Sequence, residues 1–80
     1  MTYKILRLPK ALEQTGYSRS TFYQRIADGL WTRPVSIGVR AVGWPDFEVS
    51  SLIAACIAGK SDVDIRKLVA KLQAQREGLQ

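Results

Sequence analysis

The sequence predicts a mainly α-helical domain carrying one small β-hairpin, and three observations support that expectation. The stretch 16–29, GYSRSTFYQRIADG, has a helix written between its ends. Residues 35–44, VSIGVRAVGW, switch to short β-friendly runs with a glycine near the middle. From Pro45 onward, apolar residues recur at helical spacing.

In chain order, residues 4–8 (KILRL) read as a short extended segment. Pro9 suits the first position of a helix, where its missing N–H costs nothing. That helix is expected from about Pro9 to Thr15, with Ala11 and Leu12 turned inward, and Gly16 ends it. Gly16, Tyr17 and Ser18 then form a tight connection into a second helix. Ser18 is its N-cap, since a serine oxygen accepts from a free N–H of the first turn. Gly29 suits the left-handed position that closes the last turn. Phe22 and Ile26 stand four apart and share the inward face. Ser20, Thr21 and Gln24 occupy the outer face, with Arg19, Tyr23 and Arg25 at its edges. Two short helices joined by three residues, with a glycine at the turn, make a helix-turn-helix.

Residues 30–34 form a connector, and Pro34 argues against a continuing helix. The next ten residues read as a hairpin turning around Gly38 to Arg40, which sets Arg40 at or beside the tip. Val42 and Trp44 alternate so as to share one face, expected to lie over the helices. A hairpin after a helix-turn-helix is a wing, so the predicted fold is a winged helix-turn-helix.

Pro45 opens a third helix. Val49, Leu52, Ile53, Cys56 and Ile57 form an amphipathic stripe predicted to be core, with Cys56 a buried small hydrophobe. Asp46 and Glu48 fall in its first turn, where the helix dipole favours negative charge. Ser61 and Asp64 resemble a capping box for a fourth helix over about residues 62–77. Ile65, Leu68, Val69 and Leu72 form its apolar stripe, and Arg66, Lys67, Lys71 and Arg76 a basic side. Its roughly four turns need a surface to pack on. Its own domain, a second copy of the chain, or another protein would each serve. The expected division is residues 1–60 as a winged helix-turn-helix DNA-binding domain and 61–80 as a C-terminal helical extension.

Charge is unevenly placed. The chain of 80 residues carries +5, with seven bases and two acids in residues 1–44. The cationic excess therefore sits with the helix-turn-helix and the wing, as an electrostatic footprint for phosphate would. The chain has no histidine and one cysteine, so neither a Cys/His zinc site nor an intramolecular disulfide can form. No histidine base, H-E-x-x-H, G-x-S-x-G or P-loop is present, so catalysis is not expected, and no cofactor is implied. A domain without staples suits a reducing cytoplasm. No apolar run approaches the ~20 residues that span a bilayer.

The residues then resemble a family. Leu6-Arg7-Leu8-Pro9, the run Thr15 to Tyr23, Pro34-Val35 and Arg40-Ala41-Val42-Gly43-Trp44 resemble the AlpA family of prophage transcriptional regulators over about residues 4–58. That family is related to phage excisionases and to the DNA-binding part of MerR-type regulators. Phe22 departs from the family's usual Ile or Val, and Val39 from a frequent Pro at the wing turn. The resemblance implies a sequence-specific regulator of prophage or mobile-element genes. An excisionase-like directionality factor, or a module docking on an integrase or signalling protein, is the alternative. It also implies double-stranded DNA contacts from Arg19, Ser20, Thr21, Tyr23, Gln24, Arg25 and Arg40. A homodimer or an integrase would meet Ile65, Leu68 and Leu72.

Overall fold

A computed structural model describes residues 3–78. Four helices accompany a three-stranded antiparallel sheet: β1 (Ile5–Leu6), α1 (Leu8–Thr15), α2 (Arg19–Ala27), β2 (Val35–Gly38), β3 (Ala41–Pro45), α3 (Asp46–Ile57) and α4 (Asp62–Gln75). A single 3-10 turn, Arg76–Gly78, closes the described chain. This is a winged helix-turn-helix with a C-terminal helix.

The extended segment predicted for residues 4–8 is narrower and does more than lead in. Ile5 and Leu6 pair with Pro45 and Trp44, making β3 the central strand of the order β1-β3-β2. Gly43 permits this close approach. A Cβ there would meet Ile5 Cγ2 and stand 2.8 Å from the Leu6 carbonyl oxygen. Arg7 takes the N-cap position of α1, and Pro9 falls one residue inside the helix start.

In α2 both predicted ends are present. Ser18 accepts from the Thr21 backbone N–H at 3.2 Å. At the other end Gly29 adopts φ 77°, the Gly29 N–H reaches Ile26, and the Leu30 N–H reaches Arg25. These two bonds satisfy carbonyls that the helix end would otherwise leave free. Phe22 is fully buried and Ile26 packs on the core.

The core centres on three aromatic rings. Phe22 meets Trp44 edge-on with centroids 4.9 Å apart, and meets Trp31 at 5.3 Å. Trp44 also donates from its indole Nε1 to the Thr32 carbonyl at 2.9 Å. One residue of the wing's inner strand thus packs on α2 and bonds the connector. Val42 departs from expectation and is 38% exposed. It stands two residues nearer the tip, opposite Ser36, where the hairpin has run beyond the helical layer.

The stripe expected on α3 is rotated. Glu48, Val49, Leu52 and Ala55 are buried, whereas Cys56 is exposed and Ile57 is 81% exposed. Cys56 is therefore not a core residue. Glu48 lies on the buried face, because Glu48, Leu52 and Ala55 share a side of the helix, and there it meets Arg76 from beyond α4. The two charges form a bidentate pair at 2.7 and 2.8 Å, with Glu48 fully buried. Glu48 is thus an ion-pair partner as well as a first-turn acid. The expected fourth helix, residues 62–77, tightens after Gln75 into the 3-10 turn that carries Arg76.

The stripe of α4 is spent inside the chain. Ile65, Val69 and Leu72 are no more than 5% exposed, and Leu68 packs against the same core. Ile65 and Leu72 are consequently not free to receive a second copy or an integrase, and Leu68 is partly covered by the same core. Of the surfaces open to α4, its own domain has taken it. Among the described residues, no helix is long and apolar enough to cross a membrane.

Candidate nucleic-acid interface

The expected contact residues lie on two elements. Arg19, Ser20, Thr21, Tyr23 and Gln24 are exposed along α2, Arg25 is half-buried there, and Arg40 is exposed at the wing tip. A nine-residue helix is about 14 Å long, close to the ~12 Å width of a B-DNA major groove.

The side chains are not equally available. Thr21 Oγ1 accepts from Ser18 Oγ at 2.9 Å, and Ser20 Oγ lies 3.4 Å from Ser18 Oγ. Ser20 and Thr21 thus belong to a hydroxyl cluster around the N-cap. They remain exposed beside the N-terminus, where helix dipole and free N–H groups favour phosphate. Gln24 donates to Asp28 Oδ1 at 3.1 Å, one turn on. That bond uses one amide hydrogen and leaves the other and the carbonyl oxygen, the pair that reads adenine. The Tyr23 ring stands edge-on to Phe22 at 6.1 Å and is 39% exposed, so it both packs and faces solvent.

Arg25 is the most constrained. Its guanidinium lies 5.2 Å from the centroid of the Tyr17 ring, and its Nε is buried without a partner. Tyr17 in turn packs edge-on to Trp31, and its hydroxyl is 3.9 Å from Cys56 Sγ. Burial raises the Tyr17 phenol above its ordinary value, the Arg25 guanidinium opposes that rise, and Cys56 adds to it. In the sequence Tyr17 reads only as a turn residue. Its position four residues before Thr21 and eight before Arg25 gave no signal of the stack.

Among the described residues the ion pairs are Lys10–Glu13 and Arg76–Glu48, so Arg19, Arg25 and Arg40 carry uncompensated charge. The wing tip is a two-residue turn, Val39 and Arg40, between paired Gly38 and Ala41. Arg40 takes φ 58°, the one left-handed non-glycine among the described residues. That conformation costs roughly 1–2 kcal/mol for an L-residue. Glycine would remove the strain but add about 0.5–1 kcal/mol of chain entropy. Arg40→Gly is therefore expected to shift the urea midpoint little. Loss of DNA affinity in the same variant, measured by gel shift, then reports the side chain and not the fold.

A helix-turn-helix followed by a basic two-stranded wing defines the winged helix-turn-helix class. The family described as Prophage CP4-57 regulatory protein (AlpA) matches residues 4–57, and the chain belongs to that phage regulatory family. A protein of Enterobacteria phage P4, described as uncharacterized protein ORF88, is 39% identical over 57 residues. The match covers 71% of this chain, and the chain spans 65% of that relative's length. No solved structure matches the chain.

Proposed function

We propose that this protein is a sequence-specific DNA-binding regulator of prophage or mobile-element genes, acting in the cytoplasm without catalysis. In this reading α2 enters a major groove while Arg40 holds the flanking backbone or minor groove. Residues 1–60 carry the reading surface, and 61–80 brace it. Arg19, Gln24 and Arg25 meet bases or phosphates, Ser20 and Thr21 a phosphate, and Tyr23 contributes its hydroxyl. The single observation that carries the proposal is the placement of unpaired Arg19, Arg25 and Arg40 on α2 and the wing, the two elements by which this class meets DNA.

Arg19 gives the cleanest test, because it is exposed and makes no side-chain bond among the described residues. Arg19→Ala is expected to weaken binding to a duplex selected by the wild-type chain, with an unchanged far-UV spectrum. If Arg19 meets a phosphate, the slope of log K against log salt falls by about 0.9. If it reads guanine, discrimination at one base pair drops by about 1–3 kcal/mol. Wild-type affinity, slope and specificity in this variant would remove Arg19 from the interface.

A further inference from the structure

The segment between α2 and the wing has no regular structure of its own, yet side chains from elsewhere hold its backbone. At its start, Arg66 Nε of α4 donates to the Asp28 carbonyl at 3.0 Å. The Thr32 carbonyl receives the Trp44 indole. Both backbone groups of Arg33 are taken as well: its N–H donates to Gln73 Oε1 at 2.9 Å, and its carbonyl accepts from Arg76 Nη2 at 2.8 Å. Arg76 is itself fixed by the bidentate pair with the buried Glu48.

We propose that Gln73, Arg76 and Glu48 are positioning residues that set the angle between α2 and the wing, so that both engage one duplex together. This rests on the DNA-binding reading and deepens it. The physical case is one of pre-organisation. A connector free to move would let the wing sample orientations, and each binding event would then bear the cost of ordering it. Held at Asp28 and at both backbone groups of Arg33, the wing meets DNA already oriented. Arg76 suits this task because its planar fork serves Glu48 and a carbonyl at once. A core helix needing only burial would be complete with Ile65, Val69 and Leu72, and would have no call on connector backbone.

The test uses the full chain and a duplex selected from a random-sequence pool by the wild-type protein. Gln73→Met keeps the side-chain length and removes the acceptor, whereas Gln73→Glu retains it. E48M/R76M removes both charges together and so leaves no buried charge alone. Each variant is combined with Arg40→Ala. Distant substitutions without shared partners add, so a simple loss of stability leaves the Arg40→Ala penalty intact. The expected result is an Arg40→Ala penalty of about tenfold in the wild type. It should shrink to near unity in Gln73→Met and in E48M/R76M, and return in Gln73→Glu. Residual dipolar couplings on the same free proteins should show the wing reoriented against α2 in the first two variants alone. An undiminished penalty with unchanged couplings in folded variants would overturn the positioning role. A wild-type chain that selects no duplex would overturn the DNA reading, and the functional role of the clamp with it, whatever the couplings show.

Discussion

Removal of residues 61–80 is expected to abolish cooperative folding, although every proposed DNA contact precedes the cut. Ile65, Val69 and Leu72 are buried in the same core cluster as Phe22 and Trp44. Each such side chain contributes about 1.5–3 kcal/mol by burial. The cut also strands Glu48, fully buried, without Arg76, and an uncompensated buried charge costs about 3–5 kcal/mol. A domain of this size holds about 5–15 kcal/mol in total, so the losses consume most or all of it. Circular dichroism on heating should show no sigmoidal transition for residues 1–60. A truncated chain that melts cooperatively near the full-length midpoint would place α4 outside the core.

Trp44→Ala should be the most damaging single substitution in the wing. The ring is fully buried, and truncating such an aromatic costs about 3–5 kcal/mol. The Thr32 carbonyl loses its donor at the same time, and an unmet buried acceptor adds about 1–3 kcal/mol. Trp44→Phe keeps most of the ring and loses the indole N–H, so its deficit should be closer to the hydrogen-bond component alone. Urea unfolding of both variants separates packing from bonding. Equal losses for Ala and Phe would mean that the Thr32 bond, and not the contact with Phe22, carries Trp44's contribution.

Local chemistry is where the sequence spoke most clearly. Ser18 and Gly29 mark the ends of α2 because capping depends on neighbours within one turn. The wing turn is similarly legible, because Pro34 and the glycines act over a few residues. The family motifs lie in the same stretches. What the sequence concealed depends on long-range pairing. Nothing local to Glu48 distinguishes a first-turn acid from one that meets Arg76, 28 residues later. With that pair on the buried face of α3, Cys56 and Ile57, which spacing alone places in the core, are exposed. The fate of Ile65, Leu68 and Leu72 was equally undecidable from spacing. An amphipathic face shows only that something covers it, and here the domain itself does. On the surface, the stack of Arg25 on Tyr17 joins a turn residue to the second helix, a contact that helical periodicity does not report.

The most direct measurement is a titration of the selected duplex into the 15N-labelled chain, followed through backbone amide shifts. The expected result is a set of perturbations concentrated over residues 18–25 and at the wing turn around Arg40, saturating together, with the outer face of α4 unmoved. Perturbations confined to α4, with Arg19, Gln24 and Arg40 unchanged at saturation, would contradict reading by helix and wing.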